Sequence, residues 1–173
     1  ILEGLDANGS RTLNIHFPWS NSRVYWDCGN NAGSYDRIDK LANQNEFSSK
    51  WNHWVFTKNS VSGEMKMYKN GILWHSGNNK NELIDIQQLS LGSNGKGTGY
   101  FWDGKIKELR IFNKELNQTT IGEWMNIRLN NSHPDYNNLV AYYPFNEGSG
   151  NNANDNSSNN AIANFNGNVL WQS

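Results

Sequence analysis

The sequence predicts an all-β fold, a sandwich of two antiparallel sheets with one short helix. Its 173 residues are a usual length for one domain, and aromatic residues make up 13% of them, with eight Trp. Disordered chains are poor in aromatic residues, so we expect a folded domain whose core is built largely from rings. Short alternating segments recur roughly every ten residues between Asn- and Gly-rich turns, a rhythm typical of a sandwich.

Two strands are predicted near the N-terminus, in RTLNIHF (11–17) and RVYWDCG (23–29). Every second residue in them is apolar, which places the apolar side chains on one face of each strand. Cys28 is the only cysteine and belongs to the apolar set, so we expect a buried structural thiol rather than a reactive nucleophile. The residues expected to face the core are Leu13, Ile15, Phe17, Val24, Trp26 and Cys28.

The clearest element in the middle of the chain is a hairpin. EMKMYK and ILWHSG flank Asn70-Gly71, a dipeptide that suits a type I′ turn because both residues tolerate positive φ. A strand is expected around 54–57, before the hairpin. Two more are expected after it, in IDIQQLSLGSNG (84–95) and in YFWDGKIKELRIFN (100–113), where the imperfect alternation indicates a bulge or a change of face.

One short helix is expected in TTIGEWMNIRLNN (119–131), because its apolar residues recur near helical spacing. Either Asn117 or Thr119 can cap it. LVAYYPF (139–145) is then a strand, and AIANFNGNVLW supplies a last strand or two. The Asn-rich stretch between them is interpreted as a turn-rich loop rather than a linker, because strand-like segments flank it closely.

Charge and composition exclude several kinds of partner. The formal net charge is −1, and no block of basic residues offers a surface for nucleic acid. No apolar run is long enough for a membrane span, and the opening ILEGLDANGS is not a signal peptide, so we expect a processed chain or a fragment. A single cysteine permits no intrachain disulfide, which suits an exported bacterial protein. We therefore expect an extracellular or cell-surface location.

Three segments carry a longer pattern: WNHWVFTKNSVSGEMKMYKNGILW (51–74), LSLGSNGKGTGYFWDGKIKELRIFNKEL (89–116) and LVAYYPFNEGSGNNANDNSSNN (139–160). In these segments the chain resembles the bacterial laminin G-like (LamG-like) modules of the concanavalin A-like lectin/glucanase superfamily. The resemblance covers about half of the chain. It implies a jelly-roll β-sandwich of two antiparallel sheets, and a short helix after the second segment.

The order of the segments departs from that family. The segment at 139–160 usually opens such a module, whereas here it lies near the C-terminus. We expect a single LamG-like jelly-roll domain over 1–173, in which 139–171 supplies the strands that usually come first. The alternative is a module cut so that central strands are missing, which leaves unpaired edges unless a partner chain fills the gap.

The sequence favours a protein that is not an enzyme. The related glucanases carry carboxylates in the pattern E-x-D-x-x-E, which places acid and nucleophile on one concave face. That triplet does not occur here. The nearest acidic spacings are Asp36 with Asp39, in a predicted loop, and Asp103 with Glu108. No G-x-S-x-G elbow accompanies any His.

Carbohydrate binding needs flat rings that stack on sugars and polar groups that bond hydroxyls, and the chain is rich in both. Trp51, Trp54 and Trp124 are expected in the core. Other rings fall in turns or beside polar residues; each alone is more often a packing residue, but several can line one surface. The candidate carbohydrate-binding residues are Trp19, Tyr35, Asp36, Arg37, Trp74 and Trp102, with Asn21 and Asn30 beside them.

Calcium is the metal that the sequence favours, as a structural ion. The ion takes six to eight oxygen ligands, and loops rich in Asp, Asn and carbonyl groups supply them. The candidate ligands lie in two such loops, Asp6 with Asn8 and Asp155 with Ser157. The alternative, which the sequence supports equally, is that both Asp residues form Asx-turns.

These observations predict a noncatalytic carbohydrate-binding or adhesion module of a secreted or cell-surface protein, stabilised by calcium. Its expected partners are a glycan or polysaccharide and other domains of a larger protein. The alternative is a protein–protein interaction module or a structural spacer of a large surface protein, without a glycan site. A rim of exposed rings beside Asn and Asp would favour the first function, and a polar face without rings the second.

Overall fold

A computed structural model describes residues 1–31 and 34–172, apart from the side chains at 30 and 31. Within these ranges the chain is mostly antiparallel β-structure with two helices and one 3₁₀ turn. The strands are β1 Leu2–Leu5, β2 Arg11–His16, β3 Arg23–Asn31, β4 Ser34–Leu41, β5 Trp54–Asn59, β6 Glu64–Lys69, β7 Ile72–Gly77, β8 Gln88–Leu91, β9 Leu109–Phe112, β10 Leu139–Tyr143, β11 Asn152–Ala153 and β12 Ala163–Asn164. The helices are α1 Gln44–Phe47 and α2 Gln118–Trp124, and the 3₁₀ turn is Tyr136–Asn138.

The chain divides into two compact units. The first unit comprises Ile1–Trp102 and Leu116–Arg128, and the second comprises Asp103–Glu115 and Leu129–Ser173. Each unit has its own cluster of buried apolar residues. The expectation of one domain over 1–173, with 139–171 supplying its opening strands, stays a prediction.

The first unit is a sandwich of two antiparallel sheets. The larger sheet has the strand order β4-β3-β2-β1-β8, and the smaller sheet has the order β5-β6-β7. Alternate residues of β2 and β3 face inward, as their sequence pattern predicts, and meet Met65 and Met67 of β6. The buried cluster of the larger sheet consists of Leu13, Ile15, Val24, Trp26, Cys28 and Ile38.

Cys28 is a buried structural thiol, as expected. Its side chain is 1% exposed, and its sulfur lies 3.8 Å from the sulfur of Met65. Burial raises the pKa of the thiol to about 12, because the apolar surroundings disfavour the thiolate. The group is therefore a protonated packing residue at neutral pH.

The predicted hairpin and helix cap are confirmed. Asn70 and Gly71 have φ of 51° and 80°, the two positive values of a type I′ turn, which joins β6 to β7. A Cβ on Gly71 would lie 3.1 Å from the Cα of Gly122, so glycine is also needed where α2 approaches the turn. Asn117 caps α2, because its side chain accepts the N–H of Thr120 at 2.9 Å.

The second unit contains two short strand pairs, β9 with β10 and β11 with β12. LVAYYPF forms β10 as predicted, and Ala141 and Tyr143 turn towards the buried cluster. Ala153 at the end of β11 is fully buried in the same cluster. The Asn-rich stretch between β10 and β12 therefore folds back on the unit rather than leaving it as a linker.

Several sequence predictions were wrong. Asp36 and Asp39, expected in a loop, lie in β4 at the edge of the larger sheet. Its SYDRIDKL sequence has a single buried residue, Ile38, so the apolar alternation that indicates a strand is weak. The helix α1, a single turn, was also missed, as was β1. Trp51, expected in the core, is 63% exposed.

Neither helix in the described residues is long and apolar enough to cross a membrane.

Candidate functional site

An open cleft of about 470 Å³ lies on the outer face of the larger sheet, within the first unit. This volume is in the range of roughly 300–1,000 Å³ found for small-molecule sites. Strands β1, β2 and β3 form its floor, and the segment 92–102, which we call the cover loop, forms one wall. The polar and aromatic residues that line it are Glu3, Arg11, Thr12, Asn14, Asp27, Tyr35, Asn94, Lys96 and Tyr100.

A row of polar residues crosses the sheet beneath the cleft. Glu3 pairs with Asn14, Asn14 with Asp27, and Asp27 with Arg37, so one residue from each of β1 to β4 stands side by side. Directly paired residues of antiparallel strands project from the same face. Because Leu13 and Cys28 face the core, this row faces outward. The outer face is thus polar by the same alternation that makes the inner face apolar.

Asp27 lies at the centre of the row, and both of its carboxylate oxygens accept hydrogen bonds. It accepts hydrogen bonds from Nε of Arg37 at 2.6 Å and from Nη2 at 2.7 Å, a bidentate ion pair. The amide of Asn14 donates to the same carboxylate at 3.3 Å. Asp27 is 3% exposed and Asn14 is 2% exposed. The hydrogen bonds to Asp27 also raise the pKa of Arg37, so its guanidinium remains charged.

Arg37 fixes the aromatic wall of the cleft. Its guanidinium lies over the ring of Tyr25 at 4.6 Å and over the ring of Tyr35 at 5.0 Å. The bidentate bond to Asp27 holds the guanidinium in place between them. Tyr35 is 43% exposed at the mouth of the cleft, so its ring is oriented and accessible at once.

Gly95 anchors the cover loop to the larger sheet. Its N–H donates to Oε1 of Glu3 at 2.9 Å, and its carbonyl accepts from Nε2 of Gln88 at 2.9 Å and Oγ of Ser90 at 3.1 Å. A Cβ at this position would lie 2.6 Å from the side chain of Leu5, closer than real contacts allow. Only glycine lets the loop lie this close to β1.

The far end of the cleft is a cluster of three rings. Tyr100, on the cover loop, lies 5.6 Å from His16 and 5.4 Å from Trp19 between ring centroids, edge to face. His16 and Trp19 lie 4.6 Å apart. Tyr100 is 60% exposed and Trp19 is 39% exposed. Burial lowers the pKa of His16, because a partly desolvated imidazolium is disfavoured.

Three of the candidate carbohydrate-binding residues therefore lie at or beside the cleft. Tyr35 lines it, Arg37 holds Tyr35, and Trp19 continues the surface beyond Tyr100. Asn21 donates to the hydroxyl of Tyr25 at 2.7 Å, on the same face. The side chain of Asn30 lies outside the described residues.

Asp36 faces the opposite way, into the sandwich. The larger sheet alternates, so Asp36 shares the inner face with Ile38 while Tyr35 and Arg37 project outward. Its Oδ2 accepts from Nζ of Lys58 at 2.5 Å, in a buried ion pair, and from the N–H of Glu82 at 2.8 Å. The structure thus does not bring Asp36 to the cleft.

Trp74 and Trp102 are packing residues in the first unit. Trp74 packs against the buried cluster and donates from Nε1 to Oε1 of Glu46 at 2.8 Å. Lys40 lies over its ring at 4.5 Å. Trp102 closes the cover loop through its N–H, which donates to the carbonyl of Gly92 at 2.8 Å, and its ring contacts Phe17. Neither residue lines the cleft.

The residues that sequence reasoning missed are Glu3, Arg11, Asn14, Asp27, Lys96 and Tyr100. The alternation in β2 and β3 places Asn14 and Asp27 on one polar face, so these two could have been found. No sequence pattern places Lys96 and Tyr100 at this face. They belong to a loop that is distant in sequence from β1 and is held against the sheet by the hydrogen bonds of Gly95.

Asp155, a predicted calcium ligand, already has several hydrogen-bond partners in the protein. Its Oδ1 accepts the N–H of Tyr142 and of Ser157, both at 2.8 Å. Its Oδ2 accepts from the hydroxyl of Ser157 at 2.7 Å and from the N–H of Ala161 at 3.1 Å. A carboxylate offers about four acceptor positions, so the protein already occupies all of them. Both Asp155 and Ser157 are buried.

Asp6 and Asn8 form the turn between β1 and β2. Oδ1 of Asp6 accepts the N–H of Asn8 and of Ser10, both at 2.8 Å, which is an Asx-turn. In the part of the chain that the structure describes, no group of three or more His, Cys, Asp or Glu could hold a metal ion. The hydrogen bonds thus favour the Asx-turn interpretation, and calcium binding stays a prediction.

Comparison with known proteins places this architecture in a family. A laminin G family model, described as concanavalin A-like lectin/glucanases superfamily, matches residues 3–122. The chain belongs to the concanavalin A-like lectin/glucanases superfamily. The superfamily assignment agrees with the two antiparallel sheets and confirms the predicted jelly-roll sandwich. The matched range includes every residue that lines the cleft, and it ends before 139–171.

A solved structure has a similar fold. It is the crystal structure of a Bacteroides ovatus ATCC 8483 protein to which carbohydrate binding is ascribed, with a TM-score of 0.61 and 13% sequence identity. The alignment covers 99% of this chain and 54% of that one, so the present chain spans about half the length of its neighbour. At this identity the likeness shows the fold alone. No curated protein matches the sequence.

Proposed function

We propose that the chain is a noncatalytic carbohydrate-binding module of a secreted or cell-surface protein, and that the cleft on the larger sheet is its binding site. One observation carries the proposal: two accessible rings, Tyr35 and Tyr100, line a cleft that polar side chains from β1, β2, β3 and the cover loop also line. Sugars present apolar C–H faces and a rim of hydroxyls, so they need this combination of rings and hydrogen-bonding groups.

The superfamily and the neighbour support this proposal at a coarser level. The superfamily contains lectins and glucanases, and carbohydrate binding is ascribed to the Bacteroides ovatus protein. That protein is almost twice as long as the matched region, so a parent protein with further domains is part of the proposal. Attachment of such a parent to a glycan surface would make the module adhesive.

The arrangement of the carboxylates favours binding over hydrolysis. The two carboxylates that line the cleft, Glu3 and Asp27, stand on β1 and β3 with β2 between them. Glycosidases keep one carboxyl group available to donate a proton and another to attack or activate water. Asp27 is held by two bonds from Arg37 and one from Asn14, and Oε1 of Glu3 accepts from Gly95. These bonds hold both carboxylates within the sheet and the cover loop rather than leaving them free to act on a substrate.

The experiment is a glycan array followed by calorimetry on the glycan that binds most tightly. Replacing Tyr35 or Tyr100 by Ala should weaken binding about tenfold each, because a lost ring contact costs roughly 1–1.5 kcal/mol. Trp51→Ala is the matched control, because Trp51 is an exposed ring of the first unit that does not line the cleft. It should bind as the wild type does.

Two results would contradict the proposal. One is an array on which no glycan binds, which would favour the protein–protein or spacer function instead. The other is a bound glycan whose affinity is unchanged in Tyr35→Ala and Tyr100→Ala. Release of reducing ends from the bound glycan would contradict the noncatalytic part alone.

A further inference from the structure

The accessible charge at the cleft is positive. Arg11 and Lys96 both line it, from β2 and from the cover loop. The side chain of Arg11 is 43% exposed, and its nearest acidic partner, Oε2 of Glu3, is 3.9 Å from Nη1, beyond hydrogen-bond distance. Lys96 is exposed and forms no ion pair with any residue that the structure describes.

The negative charges of the cleft are buried beneath these cations and already have partners. The side chain of Glu3 is 11% exposed and accepts the N–H of Gly95, and that of Asp27 is 5% exposed and binds Arg37. A ligand at the mouth therefore meets two cations before it meets a carboxylate. The whole chain has a formal net charge of −1, so this positive mouth is a local property.

We infer that the glycan bound in the cleft is anionic, with a carboxylate or sulfate group that contacts Arg11 and Lys96. This inference rests on the proposed function and names the class of glycan. A guanidinium offers a planar fork that matches a carboxylate or sulfate, and an ammonium adds a compact point charge. A neutral sugar would leave Lys96 without a counter-charge, and Arg11 with only the carboxylate of Glu3, 3.9 Å away.

The rings and the cations divide the recognition between them. Tyr35 and Tyr100 contact the apolar face of a sugar whether or not it is charged. Arg11 and Lys96 contribute only when the sugar carries an anion. Charged contacts near the surface are screened by salt, so the anionic part of the affinity falls as ionic strength rises.

The test uses matched pairs of probes in calorimetry on the full chain. The first pair is an oligogalacturonide and its methyl ester, in which methylation removes the charge of the carboxyl group. The second pair is a sulfated galactan oligosaccharide and its desulfated form. The charged member of at least one pair should bind tenfold or more tightly than its neutral partner, and the difference should shrink in high salt. Whichever pair shows the difference identifies the anion.

Three variants separate a specific contact from general attraction. Arg11→Gln and Lys96→Gln should each lower the affinity for the charged probe about tenfold and leave the affinity for its neutral partner within about twofold. Lys50→Gln is the control, because it removes the same charge from an exposed residue that does not line the cleft. It should have no effect.

The outcomes separate this inference from the proposed function. Equal binding of charged and neutral probes, with no effect of Arg11→Gln or Lys96→Gln, would overturn the anionic inference and leave the glycan site standing. An equal loss in Lys50→Gln would also overturn it, because the attraction would then be general. Failure of every charged and neutral glycan to bind would overturn both. The melting temperatures of the variants check that each is folded.

Discussion

Asp155 shows how one side chain organises the second unit. Burial alone would raise the pKa of its carboxyl, but hydrogen bonds from Tyr142, Ser157 and Ala161 outweigh burial and lower it. The same bonds connect β10 to the Asn-rich stretch that follows, where Ser157 and Ala161 lie. Asp155 therefore ties β10 to this stretch through hydrogen bonds to the backbone and to the hydroxyl of Ser157.

Replacing Asp155 by Asn should loosen this unit, because an amide offers only one acceptor oxygen to four donors. We expect the free energy of opening of segment 139–161 to fall by about 1–3 kcal/mol. Hydrogen exchange measured by mass spectrometry gives the protection of peptides from this segment. Asp6→Asn, in an exposed turn, is the control and should change exchange little.

The effect of Asp155 should also depend on pH, with a defined sign. Because the pKa is lowered in the folded state, the charged carboxylate stabilises the protein at neutral pH, and this contribution disappears as pH falls below the ordinary value of 3.8 towards the folded one. The difference in protection between wild type and Asp155→Asn should be constant from pH 7 to about 5 and shrink below that. A difference that grows in acid would contradict this account.

Cys28 should be unreactive in the folded protein. Its pKa of about 12 leaves almost no thiolate at pH 8, and the side chain is buried. We expect no reaction with Ellman's reagent over an hour, and one thiol per chain after denaturation in guanidinium chloride. Rapid labelling of the folded chain would show that β3 opens readily.

At the scale of single elements, the sequence predicted the features that depend on apolar alternation or on the residues of a turn. The inward faces of β2 and β3 and the turn at Asn70-Gly71 follow from local patterns alone. β4 did not, because an edge strand with one buried residue carries almost no apolar signal. Trp51 was misplaced because a ring in a family pattern was taken to be buried, whereas the strand β5 begins only at Trp54.

The cover loop should depend on the absence of a side chain at Gly95. Gly95→Ala forces the loop away from Leu5, which separates Lys96 and Tyr100 from the sheet. We expect glycan affinity to fall about tenfold or more and stability by roughly 1–3 kcal/mol. Gly99→Ala is the matched control, because its added Cβ meets only Asn94 at 3.8 Å. Calorimetry and urea unfolding of the two variants distinguish the anchor from the loop as a whole.

At the scale of the whole molecule, the cleft draws on residues that are distant in sequence. Tyr35 comes from an edge strand, Tyr100 from a loop and Asn14 from a central strand. The order of the strands in the sheet decides which of these residues become neighbours. No local sequence pattern predicts that order. The sequence therefore predicted the fold, but it could identify only part of the candidate site.

The metal prediction is tested on the whole chain. Because Asp155 is saturated and Asp6 forms an Asx-turn, we expect the melting temperature to be the same in calcium and in EDTA. A ligand of the native state raises the midpoint by mass action, so a calcium-dependent rise of several degrees would show a site that these hydrogen bonds do not reveal. Magnesium at equal concentration controls for ionic strength.

The polar row beneath the cleft also bears on how the chain finds its correct sheet. If β2 slipped by one residue against β3, Asn14 would turn into the sandwich and Leu13 would turn out to water. A buried amide without partners costs roughly 1–3 kcal/mol, and a buried carboxylate costs more. The polar residues of the floor therefore also disfavour sheets in which the strands pair in the wrong register. A variant with apolar residues in this floor would lose more than ligand binding. It would also lose the energetic cost that makes a slipped register unfavourable, so the soluble yield of the protein should fall.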